Sequence, residues 1–370
     1  MKKLRSVFIM VLSMIFIISC STEDVQADQK AKKAEVTSEG KLITLKSGVR
    51  VVQKGEDYYL ADDIVLTKDQ LKSLDEKGDI FSGITGDLKP DLATHPATNM
   101  PLNSKSRAVG QYPTPYNMWA MVRYVYGASL SYAQREIMRR SIEHWEANTN
   151  IRFYNATGQP TIDPQYGFAY PYVEFTDGGT VNNSVIGRSS RGGRQILNIE
   201  SMSYPYNEYV RVGIHELGHA IGLDHEQNAF NRDSYIRVNL NNVIPVKRSN
   251  YDIRRTNYYN IGSIDFNSVM LYDSWGFANS DKAVMTKVSD GSTWGENSVT
   301  SSIDRMWANR FYIPYIARSD TYRELADIVY KPDNTIMTPQ ERLRFQAQLN
   351  NGNPTPPRVG RIPNSHSRYQ

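Results

Sequence analysis

The chain has 370 residues, 40% hydrophobic and 22% charged, an ordinary composition for water-soluble folded protein and enough length for about two domains plus tails. A mean hydropathy of −0.53 argues against a multi-span membrane protein. A net charge of only +4, from 43 basic and 39 acidic side chains with no dense basic block, argues against nucleic acid as a partner. The single cysteine, Cys20, excludes an intramolecular disulfide framework and any zinc site built from several thiolates.

Lys2, Lys3 and Arg5 precede an apolar run over residues 7–18. A positive start and a run shorter than the roughly 20 residues of a membrane-spanning helix read as an export signal. The sequence Ile17-Ile18-Ser19-Cys20 resembles a bacterial lipobox, in which the cysteine is lipidated and becomes the first residue after cleavage. The alternative is an ordinary signal peptide cut near Ala27. Both readings send the protein out of the cytoplasm, and a membrane enters only through the N-terminal lipid.

From residue 21 to about 41 the chain is polar and tether-like. Three short β-like runs follow at residues 41–46, 49–53 and 57–61, and Thr67 with Gln70 forms a capping box ahead of a short helix through Leu71 and Leu74. Residues 87–107 are rich in Pro, Asn, Ser and Thr and end in Lys105-Ser106-Arg107, an exposed joint that suits a trypsin-like protease. Residues 119–126 read as a strand. Ser131 and Gln134 cap a helix with Ala133, Ile137, Ile142 and Trp145 on one side, and residues 151–154, 172–175 and 195–199 continue as strands. This alternation predicts a mixed α/β sheet. A short helix over 339–349 leads into a Pro- and Asn-rich end whose last twenty residues are expected to be disordered.

Three of the six histidines fall within eleven residues, in His215-Glu216-Leu217-Gly218-His219-Ala220-Ile221-Gly222-Leu223-Asp224-His225. On a helix, His215 and His219 share one face, as a zinc ion requires. Glu216 is placed to take a proton from the attacking water without ligating the metal. Gly222 ends the helix and turns the chain so that His225 supplies a third nitrogen. Three protein ligands with an open position describe one catalytic zinc ion. Chance spacing of histidines on a core helix is the alternative, and the third histidine beyond a glycine bend argues against it.

This stretch resembles the zinc motif of the metzincin proteases, and Glu226 directly after the third histidine points to the astacin family among them. Arg232, Asp233 and Tyr235 follow the family's continuation, whereas Ala229 and Asn231 depart from it. Residues 265–272 resemble the astacin Met-turn. The resemblance implies that Met270 floors the metal and that Tyr272 ligates zinc at rest and swings to the oxyanion during turnover. Leu271 replaces the usual histidine between them. The resemblance spans roughly residues 108–312. It implies a metzincin-type α/β (α+β) catalytic domain: a mixed, mainly parallel sheet, an active-site helix and a looser C-terminal subdomain. With no disulfide available, the chain is similar to the bacterial members flavastacin and myroilysin.

The expected organisation is a signal peptide with lipobox at 1–20, a small β-rich propeptide at 21–107, a catalytic domain at 108–320 and an extension at 321–370. The expected function is that of a secreted zinc endopeptidase made as a latent zymogen and acting on extended protein or peptide substrates that add to strand 195–199. Astacin prosegments carry a Phe-x-Gly-Asp motif whose Asp covers the zinc. Ile84-Thr85-Gly86-Asp87 resembles it and makes Asp87 the expected switch, although Gly-Asp is also a common turn and Cys20 offers a thiolate switch instead. Cutting after Arg107 would leave Ala108 as the mature N-terminus, which the resemblance links to Glu226. The rival readings are a non-catalytic zinc-binding surface lipoprotein and a thermolysin-like protease with a distant glutamate as third ligand. An intact Glu216 and His225 argue against them respectively.

Overall fold

The computed structural model describes residues 40–78, 80, 109–111, 121–164, 167–187, 192–254, 258–260, 264–312 and 328–342. Within the compact unit Val36–Gln370, the elements begin with β1 (Lys41–Thr44), β2 (Arg50–Lys54), β3 (Asp57–Ala61), β4 (Ile64–Leu66) and α1 (Lys68–Lys77). They continue with β5 (Val109–Gln111), β6 (Met121–Tyr126), α2 (Tyr132–Asn148), β7 (Arg152–Asn155), β8 (Pro171–Asp177), β9 (Asn183–Val185), β10 (Gly193–Ile199) and α3 (Glu208–Ile221). The last are β11 (Ile236–Val238), β12 (Tyr258–Asn260), β13 (Met285–Lys287) and α4 (Ser302–Phe311), with short stretches of 3₁₀ helix between Glu226 and Tyr251.

Local chemistry fixes the helix starts where the sequence puts them. The Thr67 side chain accepts from the Gln70 N–H while Gln70 reaches back to the Thr67 N–H, and Ser131 with Gln134 repeats the arrangement. The expected runs at 41–46, 49–53 and 57–61 are β1, β2 and β3. Of the expected C-terminal helix, residues 339–342 are helical and the remainder lies outside the described residues, as do 119 and 120 of the strand that becomes β6.

Nine strands form one sheet in the order β1-β2-β3-β4-β9-β10-β8-β6-β7. From β10 through β8 and β6 to β7 the pairing is parallel, and β9 closes this part antiparallel to β10. The expected mixed, mainly parallel sheet is therefore present. The N-terminal strands β1 to β4 form an antiparallel meander that joins it through a parallel ladder, Ile64 beside Ser184 and Val65 beside Val185. One expectation fails here. The strand 195–199, expected to be the free edge for substrate, lies within β10, which is paired on both sides. Sheet order is set by long-range packing, which a strand's own pattern does not carry.

Alternate residues of β10, Gln195, Leu197 and Ile199, point inward and are buried. Leu197 and Ile199 meet Tyr124, Phe153 and Phe175 from the neighbouring strands, Met138, Ile142 and Trp145 from α2, and Ile214, Leu217 and Ile221 from α3. The Trp145 indole N–H donates to the Ile214 carbonyl at 3.0 Å, which fastens α2 to α3 inside the core. A second cluster of Ile236, Val243, Tyr251, Leu271 and Met285 builds the less regular C-terminal part, as expected. Beyond it, Asn150 clamps the backbone of Tyr330: its amide donates to the carbonyl at 2.8 Å and its oxygen accepts from the N–H at 2.7 Å.

Candidate zinc centre

Helix α3 runs through the core with Glu216 and His219 buried, and His215 only partly so. It stops at Gly222, whose φ of +112° disfavours any residue with a Cβ. The N–H groups of Gly222 and Leu223 close the helix end onto the carbonyls of His219 and Gly218. The chain then reverses and brings His225 back to the face that carries the other two histidines.

The three Nε2 atoms lie 3.1, 3.2 and 3.3 Å apart. His215 Nδ1 is 2.9 Å from the Val269 carbonyl and His219 Nδ1 is 2.9 Å from the Leu223 carbonyl. A carbonyl only accepts, so each Nδ1 carries the proton and each Nε2 turns a lone pair inward. Burial, reinforced by the neighbouring imidazoles, holds the His219 pKa well below its usual value and keeps that ring neutral. Lone pairs this close repel unless a cation sits among them. Tetrahedral zinc with Zn–N bonds of about 2.0–2.1 Å separates its ligands by roughly 3.3 Å, so the donor set fits that ion.

The fourth donor is Asp63, at the turn between β3 and β4. Its Oδ2 lies 3.1 Å from His225 Nε2 and 3.5 Å from His215 Nε2. Among the described residues, Asp63, His215, His219 and His225 are the group that could hold a metal. Burial opposes the charge on Asp63, yet His225 and His215 overcome it and hold the carboxyl well below the usual carboxylate range. The sequence reading missed Asp63. Its only local signal was an Asp-Asp pair just after the β-like run at 57–61, and nothing in the spacing ties it to residues more than 150 positions away. Asp87, Cys20, Ala108 and the joint at Arg107 lie outside the described residues.

The other expected site residues gather at this point. Tyr272 donates its hydroxyl to Asp63 Oδ2 at 3.1 Å, with its ring 4.5 Å from that of His225. Burial and the charge of Asp63 push the phenol well above its usual pKa, so it remains a donor. Glu216 is 2% exposed, and burial together with Asp63 pushes its carboxyl well above the usual range. Met270 is fully buried below α3, so close that a Cβ on Gly218 would fall 2.6 Å from its sulfur. Glu226, also buried, accepts from the Asp265 N–H at 3.2 Å, and its own N–H donates to the Met270 carbonyl.

Two supporting residues were not anticipated. Asp304, at the start of α4, accepts from the Ser268 hydroxyl at 2.7 Å and from the Val269 N–H at 3.1 Å. It thereby holds Val269, the residue whose carbonyl orients His215. Asp224 is wholly buried, accepts from the His225 N–H at 2.7 Å and pairs with Arg254 at 3.5 Å. A cavity of about 360 Å³ opens beside the site, lined by Asp63, His215, Glu216, Tyr272, Arg211 and Glu296 among others.

The peptidase family described as Astacin matches residues 111–313. Protein SpAN of Strongylocentrotus purpuratus is 28% identical over 291 residues, 76% of this chain and 41% of that protein. Zinc metalloproteinase nas-12 of Caenorhabditis elegans is 32% identical over 213 residues, 55% of this chain and 51% of that protein. The chain thus spans about half, or less, of the length of these two curated relatives. Among solved structures, high choriolytic enzyme 1, a hatching enzyme zinc-protease from Oryzias latipes (Medaka fish), shares 25% identity with a TM-score of 0.44, covering 54% of this chain and 92% of that one. Myroilysin shares 20% identity with a TM-score of 0.35, covering 52% and 93%.

Proposed function

Because the chain belongs to the astacin family, we propose that it is an exported zinc endopeptidase that hydrolyses peptide bonds in extended protein substrates and is made as a latent precursor. The observation that carries the reading is the convergence of His215, His219 and His225 on one point, with Glu216 on the same helix and Tyr272 across the site. The three imidazoles would hold the ion. Zinc bound there supplies Lewis acidity to the scissile carbonyl.

The protein's own groups do the rest. Glu216 accepts a proton as water adds to the carbonyl carbon, then delivers it to the departing amine as the C–N bond breaks. Tyr272, a committed donor, swings from Asp63 to the oxyanion and stabilises it most in the transition state. Met270 keeps an apolar floor beneath the ligands, and the buried Glu226 carboxylate is the partner assigned to the new ammonium of Ala108.

Latency follows from the N-terminal strands. Residues 21–107 form the prosegment, 108–320 the catalytic domain and 321–370 an extension, behind an export signal at 1–20 with Cys20 as the lipid site. We assign to Asp63 the role expected of Asp87. Its carboxylate sits against His225 and Tyr272, where water and substrate must enter. A trypsin-like cut after Arg107 would begin activation. The lack of any cysteine beyond Cys20 supports a bacterial-type member held together without disulfides.

The test compares uncut full-length chains for cleavage of casein. Asp63→Ala should leak activity that the additional change Glu216→Ala abolishes, whereas Asp87→Ala should stay as silent as wild type. A zinc-loaded, fully processed wild-type protein that cleaves nothing would refute the enzymatic reading. A silent uncut Asp63→Ala chain would refute the assignment of the latch.

A further inference from the structure

We propose that the module at residues 40–80 stays seated on the catalytic domain after the joint is cut, as a bound inhibitor in its own right, so that activation needs a second event that removes it. This rests on the latency reading above and extends it from a tethered flap to an interface between two separate chains.

The module has its own architecture. Four antiparallel strands and a helix capped at both ends surround Val51, Leu60, Ala61, Ile64, Leu66, Leu74 and Ile80. Its hold on the rest of the protein is spread over both banks of the cleft. On one bank β4 pairs with β9, and the Ser184 N–H donates to the Asp63 carbonyl at 2.8 Å. The Gln70 side chain donates to the Ile186 carbonyl at 2.8 Å in a buried contact, Ile186 itself belongs to the module's core, and Val185 packs against Tyr59 and Val65. On the other bank Arg50 forms a two-pronged ion pair with Asp252, with Nε at 2.9 Å. Asp62 receives the Lys247 ammonium at 2.8 Å, and its own N–H donates to the Asn250 side chain at 2.6 Å. Asp63 sits between these two sets of contacts.

A cut after Arg107 falls in sequence well past Ile80 and breaks none of them. It changes only the effective concentration, since a tethered segment acts as if present at roughly millimolar concentration and a free one does not. Contacts that combine a strand ladder, buried side chains and ion pairs on two sides do not depend on that advantage at micromolar protein. The hairpin is therefore a plug with two anchors, and Asp63 is its tip.

The experiment uses the full-length, zinc-loaded chain with the residues just before Ala108 replaced by the recognition sequence of a site-specific protease. After the single cut, the preparation is run on size exclusion at micromolar concentration, and peptide cleavage per mole is read over a dilution series. The expected result is that the module co-elutes with the catalytic domain and that specific activity rises about ten-fold or more on dilution, as a bimolecular complex requires. The change Arg50→Ala should shift that rise to higher protein concentration while the uncut variant stays silent. Separation of the module with full activity before dilution would overturn the proposal, as would co-elution with full activity. An uncut chain already as active as the cut and diluted one would instead overturn the latency reading on which the proposal stands.

Discussion

Replacing Gly222 by alanine tests the bend that brings the third histidine home. At φ +112° a side chain is strained in any surroundings, by about 1–2 kcal/mol for a left-handed residue with a Cβ. The new Cβ would also stand 3.0 Å from Cη2 of Trp307, which is 1% exposed and has no room to retreat. Overpacking of that kind adds about 1–3 kcal/mol. The two effects together predict a loss of about 3 kcal/mol. Gly291 supplies the comparison: its φ is +73° and a Cβ there would meet nothing within 4 Å, so Gly291→Ala should show the backbone effect alone. Urea unfolding of both variants, with and without added zinc, separates the contributions. Gly222→Ala should also bind zinc more weakly, because Leu223, whose carbonyl orients His219, and His225 follow directly. If the two alanine variants lose the same stability and hold zinc equally well, the packing of Trp307 against the bend does not matter and the argument fails.

Burial pushes the Asp304 carboxyl up to about 6. A carboxyl whose pKa is raised on folding contributes most below its unfolded value and loses that contribution as pH rises through the folded one. Asp304 alone should therefore account for a loss of up to about 3 kcal/mol between pH 4 and 7, by which the fall in wild-type stability should exceed that of Asp304→Asn when both are unfolded in urea across that range; equal slopes would count against the assignment. Asn150→Ala should orphan the N–H and carbonyl of Tyr330, remove about 1–3 kcal/mol and expose residues 328–342 to limited proteolysis while peptide cleavage stays near wild type. An unchanged proteolysis pattern would show that the clamp holds nothing.

The zinc centre was legible because its geometry is local. His215 and His219 are one helical turn apart, a glycine follows, and His225 lies within reach of the bend. The capping residues Thr67 and Ser131 were legible for the same reason. Asp63 was not, because it reaches the histidines only through the packing of a hairpin against the cleft, and the short strand β9 that receives this hairpin has no alternation in Asn183, Ser184 and Val185 to announce it. The placement of β10 inside the sheet was hidden likewise: its inward Leu197 and Ile199 were visible in sequence, while its neighbours on either side were not. The role of Asp304 escaped notice because its link to His215 runs through the backbone of Val269, which carries no signature in residue type.

Strand β9 is only three residues long, and it is buried while β4 covers its outer side. A bare strand edge pairs with any extended chain that finds it, including another copy of the same protein still folding. A bare β9 edge would thus be a hazard during folding, when many identical chains are crowded together. Carrying a covering strand on the same polypeptide lets each copy satisfy that edge internally, so β4 shields β9 from pairing with a second chain.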